Sequence, residues 1–387
     1  MEDYDVIEIN NVKDKTIVLV IEDDEMFITN NLLNSNIEVM PLRLNYDLSN
    51  FKDDYILKTK ELFTYYYNDN NIFESELLRL KKHFIHYQRK PVIAYIPKDS
   101  KYDNIRKMLK MLDIKCISNK KELIGLLNRK LVLIDSDETL RKTNGNISKR
   151  VIKSIKKNRK KGNIIVICTA RPRYQAIEVM NEACTDDIII SSNGSEIYDS
   201  RNNKVIYNSF IDNDEIIKLV EYAFLKDIRI VLSCDDFDFV SKNVRNSKQI
   251  LLTKDNYKNE LINHNIKQCM FIGKDITNIK KIISKNNKLS IVDENYLYEE
   301  KWISIINKDS SKGNALKFLA NFLNIPINNT IAIGNNVNDI SMFEAAGVSV
   351  AVANAPTNIK KMVDFVTLTN DEDGVAVLLE SLLTEKQ

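Results

Sequence analysis

The chain of 387 residues has little of what marks several large classes of protein. No stretch approaches about 18 consecutive apolar residues, so no membrane span is expected. The first residues, MEDYDVIEIN, are acidic and contain no apolar signal region, and the expected location is the cytoplasm. Neither sign of charge dominates: 56 Lys and Arg stand against 54 Asp and Glu, a net charge of +2. That balance gives no global attraction to nucleic acid or to an anionic membrane. The lysines are spread through helical patterns, where they read as solvated faces. The five cysteines, Cys116, Cys168, Cys184, Cys234 and Cys269, form no C-x-x-C pair and read as free thiols in a reducing compartment. Three histidines are too few and too dispersed for a metal cluster. His83 and His86, three apart on an expected helix, fit a surface better than a zinc site. No Gly-, Pro- or Ser-rich linker divides the chain, and no internal repeat spans it.

What is present is the balance of a globular protein, with 44% hydrophobic and 28% charged residues. The length suggests two or three domains. Strand-like runs alternate with helical ones, the pattern of α/β architecture. In the first part TIVLVI (16–21) and KPVIAYIP (90–97) read as buried strands. IEVMPL (37–42), LFTYYY (62–67) and IKCIS (114–118) are weaker candidates. Helices fit 25–34, 73–87, 101–112 and 120–128. A second unit starts with LVLI (131–134). It continues through a helix at 147–160, NIIVIC (163–168), a helix at 172–183 and DIIISS (187–192).

From 199 to 301 the order changes to two rounds of β-α-β-β: KVIY, helix 213–226, IRIVLS and DFVS, then IKQCMFI, helix 275–285, LSIVD and WISII. Strands paired after each helix suggest a separate antiparallel module. After 310 the wound pattern returns with helix 311–323, TIAIG (330–334), helix 338–346, VSVAV, helix 357–363, FVTL and helix 372–384. The expected domains are therefore 1–128, a core made of 129–198 and 302–387, and an inserted 199–301.

In open parallel sheets ligands bind beyond the carboxyl ends of the strands. LVLIDSDETL places two carboxylates, Asp135 and Asp137, just past one such end. Like charges that close repel, and burial makes them costly unless a cation compensates. Thr169 and Arg171, in CTARP, follow the next strand. SSNGSEIYD, with Asn193 and Gly194, follows the third. GNNVND (334–339), with Asn335, Asn338 and Asp339, follows a fourth. Lys312, in SSKGNAL, stands at the start of a helix. Two acids, a hydroxyl, a lysine and a second acidic loop converge, a set that suits phosphoryl transfer. Thr139 reads equally as the cap of a turn, and Arg171 as the partner of a surface acid. The tract CDDFDF (234–239) reads as a hairpin turn whose acids would repel a phosphate.

From 131 onward the chain resembles the haloacid dehalogenase superfamily, and within it the Cof-type phosphatases with an α/β cap between the second and third motifs. DSDET is similar to the first motif, normally D-x-D-G-T. TAR is similar to the second, usually T-G-R, and Lys312 in SKGNAL to the third. AIGNNVNDISMFEAAGVSVAVANAP and VTLTNDEDGVA are similar to the fourth and its surroundings. The resemblance implies a HAD-like doubly wound parallel sheet, a Rossmann-like core, with an inserted α+β cap and an additional N-terminal α/β domain. It implies a Mg²⁺-dependent phosphatase, with Mn²⁺ as the alternative ion, acting on a small phosphorylated metabolite such as a sugar phosphate.

By the same resemblance Asp135 would be the nucleophile and Asp137 the acid and base, with its backbone carbonyl facing the metal. Thr169 and Lys312 would hold phosphoryl oxygens. Asp135, Asp137, Asn335 and Asp339 would form the metal site. Arg171 and Asn338 would lie near the phosphate, with Asn193 and Gly194 at the substrate entrance. Two positions depart from the pattern. Glu138 stands where the motif has glycine, which permits positive φ and a close backbone approach. Asn335 stands where the motif G-D-x-x-N-D has an aspartate that ligates the metal. An amide oxygen still coordinates a hard cation but brings no charge. The competing reading is a weak or inactive relative that binds a ligand or partner.

Residues 15–128 resemble, more faintly, a response-regulator receiver domain. VIEDDE places Glu22, Asp23 and Asp24 after the first strand, and Asp69 follows TYYYN where a phosphoacceptor would lie. No Ser or Thr ends the strand at 97, and no Lys-Pro follows Ile117. Residues 1–128 are the expected place for self-association or a protein partner.

Overall fold

The computed structural model describes residues 129–384 apart from 243, 274–275 and 298–299. It also describes 16–21, 37–42, 92–96, 115–118 and isolated positions between 98 and 110. The chain separates into two compact units, 1–129 with 320–329 and 130–319 with 330–387.

In the first unit β1 (Thr16–Ile21), β2 (Ile37–Leu42), β3 (Val92–Tyr95) and β4 (Lys115–Ile117) form a parallel sheet in the order β2-β1-β3-β4. Receiver-like sheets run 2-1-3-4-5, which would set the expected strand 62–67 between β1 and the strand at 92–95. Here β3 bonds directly to β1, with Ile17 opposite Val92. Residues 62–67, Glu22, Asp23, Asp24, Asp69 and the helices expected at 25–34, 73–87 and 120–128 lie outside the described residues.

The second unit opens with β5 (Leu131–Ile134), α1 (Lys149–Lys161), β6 (Ile164–Cys168), α2 (Arg173–Ala183), β7 (Ile188–Ser191), β8 (Glu196–Asp199) and β9 (Lys204–Asn208). It continues with α3 (Asn213–Leu225), β10 (Arg229–Ser233), β11 (Asp238–Val240), β12 (Gln249–Leu251), α4 (Tyr257–Asn263), β13 (Gln268–Gly273), α5 (Thr277–Ser284), β14 (Leu289–Leu297) and β15 (Glu300–Asn307). It closes with α6 (Lys312–Phe322), β16 (Thr330–Gly334), α7 (Ile340–Ala345), β17 (Val348–Ala351), α8 (Thr357–Lys360), β18 (Phe365–Val366) and α9 (Gly374–Thr384).

Eight strands make the larger sheet, in the order β18-β17-β16-β5-β6-β7-β8-β9. It is parallel from β18 to β7 and antiparallel at β8 and β9. The runs LVLI and TIAIG are buried at every position, as strands covered on both faces must be. Helix α1 shows why its ends fall where they do. The Ser148 hydroxyl accepts the Val151 amide at 3.1 Å, Gly162 closes the helix at φ 97°, and the last turn is basic. Its inner face, Val151, Ile155 and Asn158, packs toward α9, where the Asn158 amide donates to the Leu379 carbonyl at 2.7 Å.

The run KVIY, expected in the inserted module, is instead the edge of this larger sheet. Strand β9 folds back on β8 as an antiparallel hairpin, pairing Glu196 with Asn208 and Asp199 with Lys204. A short turn favours that local pairing over a distant one.

Six strands make the second sheet, β12-β11-β10-β13-β15-β14, antiparallel except between β11 and β12. Residues of period two divide its faces. Ile230, Leu232, Phe239, Cys269, Phe271, Ile303 and Ile305 are buried in one apolar core with Ile216, Leu219 and Val220 of α3 and Ile279 and Ile283 of α5. The other face carries Val231, Ser233, Asp238, Gln268, Met270, Trp302 and Ser304. Cys168, Cys234 and Cys269 are buried thiols, and Cys116 and Cys184 are partly exposed. Among the described residues no helix is long and apolar enough to cross a membrane.

Candidate active site

Strand β5 lies between β16 and β6, and its ladder continues one residue further through the Asp135 amide, which donates to the Ile333 carbonyl at 3.0 Å. Asp135 thus emerges at the carboxyl edge while remaining 6% exposed. The chain then turns sharply. Asp137 is extended and Glu138 is left-handed at φ 55°, after which the Leu140 amide returns to the Asp135 carbonyl. A side chain at φ 55° is uncommon outside Gly, Asn and Asp, so the turn that presents the two acids is held by its surroundings. The Asn354 amide donates to the Glu138 carbonyl at 2.8 Å.

Lys312, at the start of α6, is 1% exposed, and its Nζ donates to Asp135 Oδ1 and to Asp339 Oδ1, each at 2.6 Å. Asp339 is fully buried, and its second oxygen accepts the amides of Asn335 and Asn336 at 2.8 and 3.0 Å. Two glycines make this approach feasible. A Cβ on Gly194, at φ +92°, would stand 2.2 Å from the Ser311 carbonyl oxygen and 2.7 Å from the Lys312 nitrogen. A Cβ on Gly334 would stand 2.4 Å from Asp339 Oδ2.

Two buried acids share one ammonium, so with both acids ionised the trio carries one net negative charge. Burial pushes the Asp135 carboxyl up to about 7; Lys312 opposes this, while Asp339 and Asp137 add to it. Burial also works against the Lys312 ammonium, but the two carboxylates outweigh it and hold the lysine above its ordinary value.

Past β6, the hydroxyls of Thr169 and Ser136 lie 2.7 Å apart. Arg171 grips Asp137 with both arms, Nε to Oδ2 at 2.9 Å and a terminal nitrogen to Oδ1 at 2.6 Å. Burial disfavours the Asp137 carboxylate, yet Arg171 and the Ser136 hydroxyl hold it below the usual range. Past β7, the Asn193 amide donates to the Thr169 carbonyl. The Asn193 side chain accepts from Asn338 at 3.0 Å and donates to Gln268 of the second sheet at 3.3 Å. Asn335 accepts the Thr139 hydroxyl at 3.0 Å and lies 3.4 Å from a Glu138 oxygen. Thr139 therefore ties two loops together instead of capping a turn.

The structure brings Asp135, Lys312, Asp339, Asn335, Thr139 and Glu138 into one bonded network, and Asp137, Arg171, Ser136 and Thr169 into a second that adjoins it. Asn193 and Asn338 form a third link, toward the second sheet. Among the described residues no three His, Cys, Asp or Glu side chains surround a common point as a metal cluster. The donors in this network are oxygens, the Asp135 carboxylate and the Asn335 amide oxygen, linked through Lys312, Asp339 and the Asn335 backbone amide. That is the chemistry of a hard divalent cation, and the uncompensated negative charge suits one.

The sequence reading missed the residues of the second sheet that face the strand ends. A cavity of about 270 Å³ lies there, with Ala170, Arg171, Pro172 and Asn193 on one side and Ser233, Asp238, Gln268, Trp302 and Ser304 on the other. It also missed a buried ion cluster, in which Arg173 and Lys267 both hold Glu196 and reach Asp235. Arg173 stands two residues beyond Arg171, and only the fold separates their roles.

A model of the haloacid dehalogenase-like hydrolases matches residues 132–379. The chain belongs to that family. It is 27% identical over 285 residues to phosphatase YwpJ of Bacillus subtilis, across 66% of this chain and 100% of the relative. It is 30% identical over 253 residues to 5-amino-6-(5-phospho-D-ribitylamino)uracil phosphatase YcsE of B. subtilis, across 64% of this chain and 93% of that one. Among solved structures, a haloacid dehalogenase-like hydrolase from B. subtilis superposes with a TM-score of 0.58 at 23% identity, covering 65% of this chain and 99% of its own. A HAD subclass IIB sugar phosphatase superposes at 0.56 with 20% identity, covering 65% and 98%. These likenesses establish the fold of the second unit as that of HAD hydrolases.

Proposed function

We propose that this hydrolase is a phosphatase that acts on a small phosphorylated metabolite through an aspartyl phosphate on Asp135. The observation that carries the reading is the buried Asp135 carboxylate, held by Lys312 at the carboxyl edge of the sheet. An oxygen of Asp135 attacks phosphorus as the bond to the leaving oxygen breaks, and Asp137 gives that oxygen its proton. Water then attacks phosphorus, Asp137 takes a proton from the water, and Asp135 is released with inorganic phosphate. In the ion pair with Arg171, Asp137 has the ionised form needed for the second half. Leaving Arg171 raises its proton affinity for the first half.

Lys312 and Thr169 donate to the phosphoryl oxygens. Arg171 and Asn338 would meet the phosphate, and Asn193 and Gly194 would line the substrate entrance. The network supports a positioning role for Asp339, which fixes Lys312 and the 335–336 amides. Asp135, Asn335 and the Asp137 carbonyl are the groups that would hold Mg²⁺, with Mn²⁺ as the alternative. When bound, the ion supplies charge neutralisation for the phosphoryl group. The inserted module, which begins after β9 and runs through β15 to Asn307 instead of ending at 301, acts as a cap over the strand ends, and residues 1–128 form a separate domain. The names of the relatives, phosphatases of small metabolites and of sugars, support this substrate class.

The test is release of inorganic phosphate from a panel of small phosphate monoesters across a Mg²⁺ and Mn²⁺ series. Turnover should appear with metal and vanish in Asp135→Asn. Retention of more than about a few per cent of activity in a contaminant-free Asp135→Asn preparation removes Asp135 from the nucleophile role.

A further inference from the structure

The sheet face over the active site mixes polar and apolar side chains, and two of its buried polar groups are unmatched. Across four strands the register aligns Gln249, Asp238, Ser233 and Gln268 in one row. A second row aligns Val231, Met270 and Ser304. Asp238 is 3% exposed. Its Oδ2 accepts the Tyr174 hydroxyl at 2.8 Å, while its Oδ1 has no partner. Ser304 is 1% exposed, and its hydroxyl also has no partner. Both residues line the cavity of about 270 Å³, whose opposite wall carries Arg171 and Asn193.

A buried carboxylate oxygen without a donor is costly, and such groups in a native protein call for a physical reason. The cavity supplies one, because a ligand there can bring the donor. Burial pushes the Asp238 carboxyl up, with the hydroxyls of Tyr174 and Ser233 working the other way. The other charged group on the wall is Arg171, already committed to Asp137. The remaining polar wall is amides and hydroxyls. Its size falls just below the range of about 300–1,000 Å³ usual for drug-sized ligands, which suits a small leaving group.

We propose that Asp238 is the specificity-determining residue for the leaving group: its Oδ1 accepts a hydrogen bond from a hydroxyl or ammonium of the organic part of the phosphate ester, and esters with a carboxylate there are rejected. Ser304 is the second contact on the same face. This rests on the phosphatase reading above. A donor offered to Oδ1 matches a charged acceptor in a dry site, an interaction of the order of tenfold or more in affinity. A carboxylate offered instead meets a like charge at close range.

Binding is measured by calorimetric titration on the full chain carrying Asp135→Asn, with Mg²⁺ present, so that turnover does not interfere. The probes are a hexitol monophosphate, a hexosamine monophosphate, phosphoglycolate and inorganic phosphate. The hydroxylated or amino ester should bind at least about tenfold more tightly than phosphoglycolate, and adding Asp238→Asn should reduce that ratio about tenfold. The hexitol and hexosamine arms tell hydroxyl from ammonium as the preferred donor. Ser304→Ala, a milder change, should weaken the preferred ester a few-fold and leave the phosphoglycolate affinity in place. The inference is overturned if the ratio is the same with and without the Asp238→Asn substitution, or if all four probes weaken together, which would mark a structural role. It is also overturned if phosphoglycolate binds as well as the hydroxylated esters while phosphate still binds; in that case the phosphatase reading stands. Failure of inorganic phosphate to bind at all overturns both.

Discussion

Replacing Asp135 by Asn should make the protein inactive and, at alkaline pH, more stable. The carboxyl titrates near 7 in the folded protein against an ordinary value of 3.8, chiefly because it is buried. Each unit of displacement corresponds to about 1.4 kcal/mol, so about three units set a ceiling of about 4 kcal/mol. The sign follows from linkage. A carboxyl whose folded value is raised favours the folded state while protonated, and that contribution is full below the ordinary value. It is lost as the pH rises through about 7. Wild-type protein without metal should therefore lose stability between pH 4 and 8 by an amount that Asp135→Asn does not lose. Local relaxation and water entry lower the ceiling, and about 2 kcal/mol is the expected difference. For a domain of this size that is about 4–8 °C in Tm.

The measurement is thermal unfolding followed by circular dichroism, in chelator, at several pH values. The Tm of Asp135→Asn minus that of wild type should grow steadily with pH. Adding Mg²⁺ at pH 8 should then raise wild type more than the variant, which keeps the other oxygen donors but offers the ion one carboxylate fewer, because binding to the folded state alone stabilises it. Two curves that stay parallel from pH 5 to 8 would refute the account of Asp135 as a buried, under-compensated anion.

Arg171→Ala should leave stability within about 1 kcal/mol, since its partner Asp137 lies at the surface, yet lower kcat/KM by about tenfold or more because Asp137 loses its orientation; denaturant melts beside steady-state rates check both halves. Gly194→Ala should cost about 2–4 kcal/mol by urea unfolding, as the added carbon strikes the backbone that leads into Lys312 and the φ is unfavourable for alanine; a loss under about 0.5 kcal/mol would show that the 193–195 turn moves freely. Asn335→Asp should tighten Mg²⁺ binding by about tenfold in calorimetry and raise the rate at low millimolar metal. Unchanged affinity would mean that residue 335 does not face the ion.

The core of this site was legible because apolar runs fix strands, and strands fix where their ends lie. LVLI, NIIVIC and TIAIG read as buried strands of one wound pattern, so the residues just after them were expected to meet at its carboxyl edge. Lys312 required only a helix start nearby. The second sheet was harder. CDDFDF does form the turn of the β10–β11 hairpin, but period two then sends Phe239 into the apolar core and Asp238 to the opposite face. Nothing local says that this face covers the site, because its neighbours Ser233, Gln268 and Ser304 come from separate strands. Strand β9 was misassigned for a related reason: KVIY has the same apolar character in either sheet, and only the tight pairing with β8 decides.

The departures at 138 and 335 show most clearly what spacing alone leaves out. Taken singly, each is a loss: a glycine replaced by a glutamate in a left-handed turn, and a carboxylate replaced by an amide. The two positions are 197 residues apart, and no sequence pattern links them. In the fold the Asn335 amide lies 3.4 Å from a Glu138 oxygen, while the Asn335 oxygen accepts from Thr139 of the same turn. The carboxylate missing from the fourth loop thus stands across a hydrogen bond on the first. Residues in such contact do not act additively. The physical question at this edge of the sheet is therefore the charge of the Glu138–Asn335 pair as a unit beside Asp135, Lys312 and Asp339, and not the identity of either residue alone.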